Sequence, residues 1–152
     1  MRLAIVTMLV VMVLLACGEN LSVEQEIRTQ LQNMEESAEA GEHFKFMGYV
    51  ADSFSAQQGT MDRRGFHRFM IFQINQHRRL HAQFFPIYVH ELAEGRASAD
   101  FRLLVTGGGG LLPESGQIFE VKTQWLLEGG DWLLEKADWE TAELPELPSR
   151  YN

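Results

Sequence analysis

Ala97-Ser98-Ala99-Asp100-Phe101-Arg102-Leu103-Leu104-Val105 sets Ala97, Ala99, Phe101, Leu103 and Val105 at every second position. A period of two puts those five side chains on one face of an extended chain. The same period flanks this stretch on both sides. Upstream, Phe85, Ile87 and Val89 alternate, and Glu94-Gly95 supplies a turn before Ala97. Downstream, Phe119, Val121, Thr123 and Trp125 alternate. Gly129-Gly130-Asp131 then turns the chain into a last strand over 131–140, with Trp132, Leu134, Ala137 and Trp139. The parity slips between Leu134 and Ala137, which predicts a bulge. Gly107 to Gly110, with the residues to Gly116, read as an open connection between two long strands. No Lys-Ser or Lys-Thr follows these glycines, so they are not a phosphate-binding loop.

The first half of the chain has a different period. Val23, Ile27, Leu31, Met34 and Ala38 recur at spacings of three and four and predict a helix over 22–40. Ser22 and Gln25 form a capping-box pattern at its start, and Gly41 suits its end. A short helix over 42–51 carries Phe44, Met47 and Val50, and a short strand follows over 53–57. Asp62 caps a third helix over 62–80, whose apolar stripe is Phe66, Phe69, Met70, Ile74 and Leu80. Helices followed by long antiparallel strands make an α+β pattern.

Several stretches in this order resemble the nuclear transport factor 2-like superfamily, the cone fold shared with ketosteroid isomerases and polyketide cyclases. They are Glu39-Ala40-Gly41, Val50-Ala51-Asp52-Ser53-Phe54, Gly59-Thr60-Met61-Asp62-Arg63-Arg64-Gly65, and Asp131-Trp132-Leu133-Leu134 with Trp139-Glu140. The likeness spans 22–140. It implies N-terminal helices packed on a strongly curved antiparallel sheet, with an apolar pocket between them. It does not imply a function, because the fold hosts many. The isomerases of this superfamily place an Asp base at the end of the first strand and a Tyr donor on helix one. The matching positions here are Gln57 and Met34. A glutamine cannot abstract a proton and a thioether cannot donate a strong hydrogen bond, so that chemistry is not expected.

The N-terminus carries a different signal. Met1-Arg2 precedes an apolar run from Leu3 to Ala16, which ends in Leu14-Leu15-Ala16-Cys17. This is the pattern of a lipoprotein signal peptide over 1–16. Lipidation is expected on Cys17, the chain's single cysteine, so the lipid bilayer is the first expected partner. Residues 17–21 form the lipidated start and short tether, spanning roughly 14 Å at full extension. Gly18, rather than Asp, follows the cysteine; the resemblance to bacterial lipoproteins then implies the periplasmic face of the outer membrane. With Cys17 acylated, no thiol is left for a disulfide or a zinc-thiolate site. The chain of 152 residues has a net charge of −8, and 12 basic residues face 21 acidic ones once Arg2 is removed. That balance excludes nucleic acid as an expected partner. Residues 141–152, with two prolines, read as an extended tail.

Few residues stand out as chemical candidates. Asp52 is a carboxylate near the expected pocket mouth, a base or ligand hook on one reading and a turn residue on the other. Tyr49 and His67 could line the pocket with it. His90 shares parity with Tyr88, opposite Ile87 and Val89, and is expected to face outward. His77 and His81 stand four apart, but Arg78-Arg79 between them disfavours a cation, and no metal or other cofactor is expected. The five arginines at 63, 64, 68, 78 and 79 suit pairing with the glutamates of helix one and ordinary solvated positions, or else phosphate head groups or an acidic partner. The expected pocket wall is Ile87, Val89, Phe101, Leu103, Val121, Thr123 and Trp125, with Thr123 the polar member. Three functions remain open: binding of a small apolar ligand or a protein partner, an enzyme with an unconventional site at Asp52, Tyr49 and His67, or a scaffold with a filled cone. A homodimer through the sheet is a further possible assembly.

Overall fold

The computed structural model describes residues 21–76, 80–107 and 115–142. Cys17 and the expected signal peptide, His77, Arg78, Arg79, Gly108 to Gly110 and the expected tail from Glu143 lie outside those residues. The elements in chain order are α1 (Val23–Glu39), α2 (His43–Gly48), β1 (Val50–Ala56), β2 (Met61–Asp62), α3 (Arg63–Gln76), β3 (Leu80–Ala93), β4 (Arg96–Gly107), β5 (Ser115–Glu128) and β6 (Asp131–Thr141). The six strands form one sheet in the order β2-β1-β6-β5-β4-β3. Three helices pack on this curled sheet.

Helix α1 starts where local chemistry dictates. The Ser22 side chain accepts from the Gln25 backbone N–H at 3.3 Å, and the Gln25 side chain accepts from the Ser22 N–H at 2.9 Å. Both bonds satisfy donors that a helix start leaves open. Ile27, Leu31, Met34 and Ala38 are buried along one stripe. Gly41 then takes φ +75°, a left-handed turn that a side chain would strain.

Two helices are shorter than their apolar periodicity suggests, because the sheet competes for their ends. The stretch 42–51 is helical only from His43 to Gly48; Val50 instead pairs with Leu134. Asp52 therefore lies within a strand and not at a helix end. The third helix is Arg63–Gln76 among the described residues, and Leu80 and His81 belong to β3, opposite Gly107 and Thr106. A ladder hydrogen bond satisfies the same backbone groups as a helical one, and tertiary pairing decides between them.

The sheet is antiparallel, as expected, except at one pairing. β1 runs parallel to β6, while every other pairing is antiparallel. Parallel neighbours need a long crossover connection, and here β2, α3 and three strands lie between the two in sequence.

Two bulges set which side chains face inward. Gln124 pairs with Lys136 but Trp125 pairs with Leu134, so Glu135 is the extra residue, in the place its parity slip predicts. The second bulge is at Pro86, between the pairs Phe85–Arg102 and Ile87–Phe101. Pro cannot donate to a ladder, and a bulge on an edge strand tolerates it. This bulge corrects the reading of Phe85, Ile87 and Val89 as one face. Phe85 is 40 % exposed, and Phe84, paired with Leu103, takes the inward position.

Candidate functional site

Between α1, α3 and the inner face of the sheet lies a cavity of about 430 Å³. That is within the range of small-molecule sites. Its walls are Leu31, Met34 and Ala38 from α1, Phe66, Phe69 and Met70 from α3, and the inward side chains of β3 to β6. Aromatic packing shapes it. Phe69 stacks on Trp139 at 5.4 Å, and Phe84 meets Phe101 edge-on at 5.1 Å and 87°. The polar side chains on its wall are Glu35, Gln73, Gln117 and Thr123.

Of the expected wall, Phe101, Leu103, Val121 and Thr123 line this cavity. Ile87, Val89 and Trp125 do not, for two separate reasons. Ile87 and Val89 lie past the Pro86 bulge, beside the first half of α1, where Arg28 Nη2 donates to the Ile87 carbonyl at 2.6 Å. There they border a shallow, open hollow with Glu24 and Arg28. Trp125 is fully buried opposite Ala97, whose small side chain leaves it room. Thr123 also differs from its expected role. Its hydroxyl donates to the Ala99 carbonyl at 2.7 Å and accepts from Trp125 Nε1 at 2.8 Å. Its one proton is spent inside the protein, so it holds the indole rather than a ligand.

Asp52, Tyr49 and His67 are not brought together at the cavity. The Asp52 side chain is fully exposed, with Oδ1 3.6 Å from Arg63 Nε. The cause is the irregularity in β1 between Val50 and Ser55: Asp52 shares parity with the buried Val50, Phe54 and Ala56, but the register shift there turns it outward. Tyr49 caps the end of α2, and its carbonyl accepts from the Leu134 N–H at 2.9 Å. His67 is half-buried on α3 away from the cavity, where its Nε2 is 3.0 Å from His43 Nδ1. His90 is exposed. Arg63 does not reach α1; it donates to the carbonyls of Met47 and Val50 and so fastens α3 to the end of α2. Gln57, where the isomerases carry their base, spends its side-chain amide on the backbone of Trp139. Met34, at the donor position, lines the cavity. Among the described residues, no group of three or more His, Cys, Asp and Glu is placed to hold a metal ion.

The His43–His67 pair carries a pH signature. Burial first, then the neighbouring His43 and Arg63, lower the His67 pKa below the usual imidazole value. The native state therefore binds this proton less readily than the unfolded chain does. The pair's contribution to stability is present above about pH 6.5 and falls as pH drops toward the lowered native value. In an NMR titration the His67 midpoint should lie below the usual imidazole value of about 6.5. His43→Gln should move the His67 midpoint upward without restoring it, since burial is the larger cause. A His67 midpoint at or above that usual value would contradict the pairing.

Sequence reasoning overlooked Glu35. It lies half-buried on the largely apolar cavity wall. Burial, then Glu39 and Glu36, raise its pKa above the usual carboxylate range. The signal was present in the spacing: Glu35 is four residues after Leu31 and three before Ala38, on the apolar stripe of α1.

No protein-family model matches this sequence, and no curated protein does. Solved structures do match. An NTF2-like protein from Pseudomonas putida aligns at 13% identity and TM-score 0.66, over 84% of this chain and 93% of that one. A protein with a cystatin-like fold from Nostoc punctiforme aligns at 16% identity and TM-score 0.64, over 84% and 97%. Bd1075 from Bdellovibrio bacteriovorus aligns at 8% identity and TM-score 0.66 over 78% of this chain, which spans 41% of that longer protein. Helix order, the curled mixed sheet and these alignments agree: the chain has the cone fold of NTF2-like and cystatin-like proteins.

Proposed function

We propose that this chain is a lipid-tethered binding protein of the cell envelope whose cone holds one small, largely apolar molecule. The cavity carries this reading: about 430 Å³ of space walled by aromatic and aliphatic side chains. A scaffold would fill that space with its own side chains, since packed interiors leave few voids larger than water. The tether rests on the lipobox ending at Cys17, and the outer-membrane address on Gly18. Among the described residues no helix is long and apolar enough to cross a membrane. An enzyme built on Asp52, Tyr49 and His67 has no support from their positions, because none of them lines the cavity.

The test uses residues 18–152, without the lipidated cysteine. Among the described residues the hydrophobic core lies between Val23 and Trp139, so this piece carries that core. After incubation with an envelope lipid extract, native mass spectrometry should show one small-molecule adduct per chain. The neutral dye N-phenyl-1-naphthylamine should displace it and saturate at one site. Absence of both an adduct and saturable dye binding would overturn the reading.

A further inference from the structure

We propose that the cone selects hydrophobic amines, with the ligand's ammonium group on Glu35 and its apolar body among the aromatic rings. This rests on the cavity being a ligand site and names the chemistry it takes. Glu35 is the one ionisable side chain on the cavity wall among the described residues; no Lys, Arg or His lines it there. A fatty acid or phosphate head would find no counter-charge on that wall and would meet a carboxylate. A cation finds a carboxylate that makes no hydrogen bond or ion pair among the described residues.

The neighbouring acids are differently placed. Glu39 accepts from the Ala82 N–H at 3.0 Å, and its carboxylate lies 3.4 Å from His81 Nδ1. Glu36 is exposed and bonds Gln32. Both repel an ionised Glu35 and are among the causes that raise its pKa. A bound ammonium would relieve that repulsion and replace water lost at the carboxylate, through charge-assisted hydrogen bonds. The rest of the wall suits the same ligand. Phe69 and Trp139 are stacked on one side and Phe84 and Phe101 meet on the other, and aromatic faces attract cations as well as burying hydrocarbon.

The experiment compares three probes of equal chain length on residues 18–152 at neutral pH: decylamine, decanol and decanoate. Each competes with N-phenyl-1-naphthylamine. Decylamine should displace the dye at a concentration lower by about tenfold or more than decanoate, with decanol between them. Glu35→Gln should still bind the dye but bring decylamine to within about threefold of decanol. Glu36→Gln, which changes a charge outside the wall, should keep most of the preference. Equal displacement by all three, tightest binding of decanol or decanoate, or a preference that survives Glu35→Gln would each overturn the inference while leaving the cavity a binding site. Should the Glu35→Gln chain fail to fold by circular dichroism, Glu35→Asp takes its place and must retain the amine preference at reduced strength. A wild-type chain that binds no dye overturns the binding reading itself, and this inference with it.

Discussion

Replacing Trp125 with alanine is expected to cost roughly 3–5 kcal/mol, the largest loss from any single truncation in this core. Trp125 is fully buried, faces Ala97 on one side and Leu134 on the other, and anchors its indole N–H on Thr123. Its removal opens a void that two neighbouring alanines, Ala97 and Ala99, are too small to fill, and frees a hydroxyl that was accepting. Phe101→Ala should cost less, about 1.5–3 kcal/mol, because Phe101 borders space that already exists. Its loss enlarges the cavity instead of creating one, and should change dye binding more than stability. Urea unfolding of residues 18–152 measures both. A Trp125→Ala loss no larger than that of Phe101→Ala would contradict the division between packed core and open cavity. A typical domain has only about 5–15 kcal/mol in total, so the Trp125 variant should be near its unfolding threshold.

Cys17→Ser should abolish acylation and membrane retention altogether. Stable anchoring needs more than one acyl chain, and the chain offers a single cysteine to carry the lipid. Labelling with a radioactive fatty acid, followed by fractionation, reads the outcome: label and membrane association in the wild type, neither in the variant. Normal labelling and retention of Cys17→Ser would overturn the lipoprotein reading. That result would leave the cone and its cavity untouched, since among the described residues the core begins at Val23.

Much of the fold is legible because period and punctuation are local properties. The stripe of α1 and its capping box, the alternation of β4 and β5, and the bulge near Glu135 each follow from spacing alone. Element ends were less legible. Val50 and Leu80 both fit the apolar stripe of a helix, yet each sits in a strand because a partner strand is there to pair with it. The site was harder still. Asp52 reads as a turn residue beside a pocket until β1 extends back to Val50, and the register shift between Val50 and Ser55 leaves it in solvent.

The sequence by itself determined the α+β order, the cone resemblance and the lipobox, because each depends on residues near one another along the chain. Only the tertiary structure decided which side chains meet. The Pro86 bulge exchanged Phe85 for Phe84 on the inner face, since one inserted residue reverses every side chain beyond it. Long-range pairing of β1 with β6 made the sheet mixed, and the Ala99 carbonyl claimed the Thr123 proton. Glu35 acquired its character the same way: on an isolated helix it is one more glutamate, and the apolar walls from α3 and the sheet, distant in sequence, turn it into the carboxylate of a cavity.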